Sequence, residues 1–153
     1  MSDEDQGLAA LAPGHRLARG VARLLSAEGH AVLQEVTLAN GRRADLLTLD
    51  ARGLVWLVEV KSSLADFQSD AKWPDYLPFC DRFSFAVPQD FPLARLPEET
   101  GILIADPFAA AWLRPPPERP LAAARRRALQ LRFARLAARR LQHLSDPEAA
   151  LNA

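Results

Sequence analysis

The stretch Val55-Trp56-Leu57-Val58-Glu59-Val60-Lys61 decides the fold, because it is apolar until it ends in two opposite charges. A continuous run of β-forming apolar residues is typical of a strand at the centre of a sheet, covered on both faces. Glu59 and Lys61 are either a solvent-facing ion pair or members of a site. The apolar residues before them favour a site, because a central strand leaves little solvent for charges.

Length and composition indicate the number of domains and the class of protein to which that strand belongs. The 153 residues fit one domain with a substantial core. We expect an acidic, flexible N-terminus over residues 1–14, an α/β domain over 15–144 and a frayed tail over 145–153. No apolar run reaches membrane-spanning length, and the acidic start does not resemble a signal peptide. The single cysteine, Cys80, excludes an internal disulfide and fits a cytoplasmic location.

The order of elements predicts a layered α/β domain. Turn signals at Asn40-Gly41 and Gly53 separate three strands that form an antiparallel meander. A helix that begins near Ser63 meets Pro74 and Pro78, which kink or end it. The sequence therefore predicts helices over 15–29, from 63 onward and over 121–144, and strands over 31–38, 42–49, 54–61, 83–87 and 101–105.

The register of the meander decides which charges meet. A three-residue loop at 51–53, with Gly53 last, places Asp45 opposite Glu59 and Arg43 opposite Lys61, all on one face. A two-residue loop would separate the carboxylates. In the first hairpin, a two-residue Asn-Gly turn sends Glu35 to the other face, whereas a three-residue loop at 39–41 places Glu35 opposite Asp45.

Carboxylates on adjacent strands repel each other and need a positive partner. Lys61 and Arg43 supply part of that charge, and a divalent cation supplies it better. Mg²⁺ prefers carboxylate oxygens, water and phosphate, whereas the sequence has no cysteine–histidine cluster that would favour zinc. The arrangement suits metal-assisted hydrolysis of a phosphodiester, with Lys61 orienting the attacking water.

Arginines form two stripes at helical spacing, one on the first helix and one on the last. Between Glu118 and Arg140 there are eight arginines. Such faces either neutralise the phosphates of DNA without reading its sequence or are ordinary solvated helix faces. The candidate phosphate contacts are Arg16, Arg19, Arg23, Arg125, Arg132, Arg135 and Arg139 on these helices, together with Arg43 of the meander.

Asp45, thirteen intervening residues and Glu59-Val60-Lys61 resemble the PD-(D/E)xK nuclease superfamily, which has the restriction endonuclease-like fold. The resemblance implies an αβββαβ core with a mixed sheet flanked by helices, here followed by an extra C-terminal helix. It implies Asp45, Glu59 and the Val60 carbonyl as ligands of Mg²⁺ or Mn²⁺, and Lys61 as the catalytic lysine. Glu35 is the candidate additional acid, with Glu28 as its rival, and Gln68 or Lys72 would contact a phosphate.

Three further stretches resemble the MmcB-like family of DNA repair proteins over residues 15–142. They are GRRADLLTLD at 41–50, VEVKSSLADFQSDAKWPDYLPFCDRFSFAVP at 58–88 and AARRRALQLRFARLAARR at 123–140. The two resemblances imply a DNA nuclease in repair, or a non-catalytic DNA- or partner-binding accessory protein that keeps the fold. Since many nucleases of this fold act as dimers, the C-terminal helix either forms a homodimer contact or covers the sheet of its own chain.

Overall fold

The computed structural model describes residues 1–148, so residues 149–153 of the expected tail lie outside the described part. Within residues 1–148, no helix is both long and apolar enough to cross a lipid bilayer. In chain order the elements are α1 (Asp3–Ala9), α2 (Pro13–Ala27), β1 (Ala31–Thr37), β2 (Arg43–Leu49), β3 (Val55–Val60), α3 (Leu64–Ser69), a 3-10 helix (Trp73–Phe79), β4 (Arg82–Val87), a 3-10 turn (Leu93–Arg95), β5 (Gly101–Ala105), β6 (Ala110–Arg114) and α4 (Ala123–Ser145).

The six strands form one mixed sheet in the order β1-β2-β3-β4-β5-β6. Strands β3, β4 and β5 run parallel, and the remaining neighbours are antiparallel. Helix α2 buries Val21 and Leu25 against one face. Helix α4 buries Leu129 and Phe133 against the other face, so it covers the sheet of its own chain. The prediction of an α/β domain with a mixed sheet, flanking helices and a C-terminal helix is confirmed.

Three elements differ from the sequence prediction. The segment expected to be flexible contains α1, which begins with a capping box between Ser2 and Asp5. The sixth strand, Ala110–Arg114, was not predicted, because its alanines have low strand propensity and three prolines follow it. The helix after Lys61 is only Leu64–Ser69, and a 3-10 helix with Pro78 inside it follows.

Asp81, at the start of β4, ties α4 to the centre of the sheet. Its side chain is buried, with 1% of the residue exposed. Its two oxygens accept hydrogen bonds from the backbone N–H of Val55 at 2.9 Å and of Leu121 at 2.8 Å. The Arg126 guanidinium donates to the same carboxylate at 3.1 and 2.5 Å. One carboxylate thus joins the strand that carries Glu59, its parallel neighbour and the last helix.

Candidate active site

The β2–β3 hairpin has the register that brings Asp45 and Glu59 together. The Asp50 N–H donates to the Leu54 carbonyl at 3.1 Å, which closes a three-residue loop. Gly53 ends that loop with φ +80°, a backbone conformation that favours glycine. The paired residues run inward to Leu46 and Val58, so the next positions are Asp45 and Glu59. The prediction of a three-residue loop here is confirmed.

The β1–β2 hairpin also closes with three residues. The Leu38 N–H donates to the Arg42 carbonyl at 2.7 Å, and Gly41 has φ +83°. Of the two registers that the sequence left open, this one places Glu35 opposite Asp45. The rival acid, Glu28, lies elsewhere, because its carboxylate accepts the indole N–H of Trp112 at 3.1 Å.

Residues 35 and 45 mark a point where both strands exchange faces. Glu35 has φ +53°, in the left-handed region that residues other than glycine seldom adopt. The sheet has one core cluster beneath α2 and another beneath α4, which we call the α2 cluster and the α4 cluster. On one side of this point Leu46 packs with the α2 cluster and Leu47 with the α4 cluster. On the other side Val36 and Ala44 pack with the α4 cluster, although strict alternation would put them with Leu46. We refer to this exchange of faces at residues 35 and 45 as the pivot.

The pivot coincides with the end of the β2–β3 ladder, and the two acids take over the backbone hydrogen bonds there. The Asp45 N–H donates to Glu59 Oε1 at 3.0 Å. The Val60 N–H donates to Asp45 Oδ2 at 2.8 Å. Since the N–H and C=O of a strand residue point to the same side, the Val60 carbonyl also faces the gap between β2 and β3. Each acid therefore reaches across to the other strand.

Burial makes the pair electrostatically unfavourable without a cation. Glu59 is 3% exposed. Burial and the neighbouring charge of Asp45 raise the pKa of Glu59 well above its usual range. Burial also raises the pKa of Asp45. The charge of the nearby Lys61 acts to lower both pKa values but does not cancel these effects, so a divalent cation would relieve the remaining repulsion.

The donor set fits Mg²⁺ or Mn²⁺ held mainly by water and substrate. Among residues 1–148, no group of three or more His, Cys, Asp or Glu side chains is arranged to hold a metal ion. Asp45 and Glu59 each use one oxygen on a backbone N–H, which leaves one further oxygen on each carboxylate that would be a ligand for a metal ion. Two carboxylates with several waters is the usual Mg²⁺ arrangement.

Lys61 is buried beside the acids but paired with a third one. The residue is 4% exposed, and its Nζ donates to Asp70 Oδ2 at 3.0 Å. Partial burial acts to raise the pKa of Asp70, but the hydrogen bond and charge of Lys61 lower it below its ordinary value. Arg43 does not pair with Lys61, because the ladder ends before these positions. It pairs with Thr37 instead, and its Nη2 lies 3.7 Å from Glu35 Oε1.

These side chains line one cleft of about 640 Å³ at the open end of β2 and β3. The cleft is also lined by four titratable residues that the sequence analysis did not assign to a site: His15, Asp66, Asp70 and Tyr76. His15 Nε2 lies 2.7 Å from Glu35 Oε1, and the Tyr76 hydroxyl donates to the Arg43 carbonyl at 3.0 Å. The i, i+4 spacing of Asp66 and Asp70 directly after Lys61 was the available signal.

The arginines of α2 serve the packing of their own chain. Arg16 donates to the carbonyls of Leu11 and Ala9. Arg19 and Arg23 pair with Glu4 of α1. They also donate to the carbonyls of Pro107 and Phe108. Two other candidate phosphate contacts, Gln68 and Lys72, are exposed and do not line the cleft.

Helix α4 carries the basic surface of the molecule. It contains seven arginines and no acidic residue. Arg125, Arg132, Arg135 and Arg139 are exposed on one edge, which we call the arginine edge. Arg125 and Arg132 line a groove with Ala39 and Asn40 of the β1–β2 loop. Gly41 of that loop lines the cleft, so the loop separates the arginine edge from the acids.

Comparison with known proteins agrees with this architecture. A solved structure of a protein of unknown function from Silicibacter pomeroyi superposes with a TM-score of 0.88 at 52% sequence identity, covering 91% of this chain and 95% of that one. The comparison with curated proteins found no match. A family model described as DNA repair protein MmcB-like matches residues 5–148. The chain therefore belongs to the MmcB-like family of DNA repair proteins.

Proposed function

We propose that the protein binds DNA and hydrolyses phosphodiester bonds in the cleft, using Mg²⁺ or Mn²⁺. The observation that carries this proposal is the reciprocal arrangement of half-buried Asp45 and buried Glu59 beside the buried Lys61. Two neighbouring acids with raised pKa values, one buried and one half-buried, are costly for folding, and such groups concentrate at functional sites. The match to a DNA repair family makes DNA the expected substrate.

The polar groups at the centre of the cleft have separate roles in this chemistry. Asp45, Glu59 and the Val60 carbonyl would hold the cation, which supplies charge stabilisation at the phosphate and a more acidic water. Lys61 leaves Asp70 to donate a hydrogen bond to the attacking water or to the oxygen that gains charge. Glu35 lies opposite Asp45 on the next strand and accepts a proton or orients water from that side. Tyr76 stays protonated, because burial and the nearby carboxylates raise its pKa.

The arginine edge of α4 gives the DNA backbone a place to lie. Arg132, Arg135 and Arg139 form no ion pair with the residues that the structure describes. Arginines on one helix edge contact phosphates whatever the base sequence is, so the binding would be sequence-independent. A strand that crosses the β1–β2 loop from this edge reaches the acids. The α2 arginines are engaged with α1, which leaves α4 as the better candidate.

The test compares the wild type with Asp45→Asn and Lys61→Met on single-stranded, nicked, flapped and branched DNA. Both substitutions keep the size of the side chain and remove its charge. We expect cutting in Mg²⁺ or Mn²⁺ but not in chelator, and a loss of at least about 100-fold in both variants. Asp90→Asn, an exposed aspartate outside the cleft, is the matched control and should cut like the wild type. Cutting that persists in both cleft variants refutes the proposal.

A non-catalytic DNA-binding accessory protein is the second candidate. Its support is that Lys61 is paired with Asp70 and that both acids have structural hydrogen bonds to make. In this case all four proteins bind DNA equally and none cuts it. Titration calorimetry adds an independent measurement, since the accessory role needs no divalent cation and hydrolysis requires one.

A further inference from the structure

Arg140 makes an unusual contact with the strand that carries Glu35. Its Nη1 donates to the Gln34 carbonyl at 2.5 Å, and its Nη2 donates to the Glu35 carbonyl at 2.8 Å. Successive carbonyls of an extended strand point to opposite sides, so one guanidinium cannot reach both. It reaches both here because Glu35, between the two peptide groups, has φ +53°. The bidentate contact and the left-handed residue therefore depend on each other.

The left-handed conformation at Glu35 needs such a support. A non-glycine residue held in this region costs on the order of 1 kcal/mol or more and persists only where its surroundings impose it. Arg140 lies on the face of α4 that packs toward the sheet and is partly buried, so its hydrogen bonds are protected from water. A fork of two fixed donors suits two oxygens better than a single ammonium does.

We propose that Arg140 is a positioning residue that holds the pivot and so sets how Glu35 enters the cleft. The proposal deepens the proposed function, since Glu35 is the third acid of that site. Arg140 itself touches neither the cation nor the DNA; it acts through the backbone at residues 34 and 35. With the pivot held, Glu35 Oε1 reaches His15 Nε2 and stands opposite Asp45. Without it, the strand regains an extended conformation, and Glu35 and the pivot partner Asp45 lose their places.

The contact of Glu35 with His15 provides a readout that does not require any enzymatic activity. The experiment records the imidazole Cε1–H chemical shift of His15 by NMR in the full-length wild type, Arg140→Met, Arg140→Lys and Glu35→Gln. We expect the Arg140→Met signal to move to the position found in Glu35→Gln, and the Arg140→Lys signal to move part of the way. Arg127→Met, an exposed arginine on the same helix, should leave the signal unchanged.

Metal binding and kinetics then separate positioning from general destabilisation. Loss of an outer partner of a metal site weakens the metal by about 10-fold to 100-fold, and we expect at least tenfold weaker Mn²⁺ binding in Arg140→Met. The kcat for DNA cleavage should fall in Arg140→Met. The KM should stay within about twofold of the wild-type value, because the DNA contacts remain. Circular dichroism and thermal melting establish that each variant is folded. Should Arg140→Met not fold, Arg140→Lys answers the same question.

The two proposals fail in different ways. A wild type that neither binds Mn²⁺ nor cuts DNA refutes the proposed function, while the His15 signal still reports on Arg140. A His15 signal unchanged in both folded Arg140 variants overturns the positioning role, whatever the activity. Equal losses of Mn²⁺ affinity and kcat in Arg140→Met and Arg127→Met overturn the positioning role as well. The cause would then be the removal of a positive charge from α4.

Discussion

Replacing Asp81 by asparagine should destabilise the protein by about 3 kcal/mol. The substitution keeps the shape but leaves one acceptor oxygen for the two backbone N–H groups and the guanidinium that now share two. Hydrogen bonds to a charged group contribute about 1.5 to 3 kcal/mol each. At least two are lost here. The Arg126 side chain is 23% exposed and regains water, so the lower figure applies to both.

Urea unfolding followed by circular dichroism at neutral pH measures this loss. For a chain of this size, about 3 kcal/mol corresponds to a fall of roughly 6 to 12 °C in Tm. Glu99→Gln is the matched control, because Glu99 also pairs with an arginine, Arg119, but its side chain is 75% exposed. Exposed pairs contribute about 1 kcal/mol or less. A double-mutant cycle with Arg126→Met should give a coupling of about 1 to 3 kcal/mol.

A loss below about 1 kcal/mol in Asp81→Asn, equal to that of the exposed control, would contradict the reasoning. So would additive effects of Asp81→Asn and Arg126→Met. Either result would mean that the Asp81 carboxylate contributes little to holding α4 against the sheet.

Four further predictions follow from the same geometry. Burial acts to raise the pKa of Asp81, but its hydrogen bonds lower it below 3.8. Its contribution to the free energy of unfolding is therefore present above about pH 4 and is lost on further acidification. The stability of the wild type should fall more steeply in acid than that of Asp81→Asn. Gly20→Ala should cost about 1 to 3 kcal/mol in urea unfolding, because a Cβ would lie 2.0 Å from the Asp106 carbonyl oxygen, whereas Gly14→Ala meets no atom within 4 Å. Mn²⁺ at 100 times its Kd should stabilise the wild type by about 2.7 kcal/mol in thermal melts and leave Asp45→Asn unchanged. The logarithm of the DNA association constant should fall less steeply with log salt in Arg135→Ala, with the magnitude of the slope smaller by about 0.9. An unchanged slope would mean that Arg135 does not contact DNA.

The sequence predicted the central strands, the main helices and the pairing of Asp45 with Glu59 because these depend on local signals. Gly53 at the third loop position predicted the register that brings Glu59 beside Asp45, whereas the first hairpin was left open between two registers, and the structure has the one that places Glu35 opposite Asp45. The apolar run before Glu59 correctly indicated a central strand that is buried on both faces.

What the sequence did not predict depends on contacts between distant parts of the chain. The pivot arises from Glu35 in a left-handed conformation and from Arg140, more than a hundred residues later. A pattern of alternating residues cannot reveal an exchange of faces, since it assumes a regular strand. The pairing of the α2 arginines with Glu4 was also hidden, because it depends on a helix that the acidic segment was not expected to form.

The hydrogen bonds that Asp45 and Glu59 make to the opposite backbone have an evolutionary consequence. These two acids close the open end of a hairpin as well as facing the cleft, so a substitution at either one removes a partner of a backbone N–H together with a carboxylate of the cleft. A relative that keeps both acids therefore keeps this structural contact, whatever chemistry its cleft carries out.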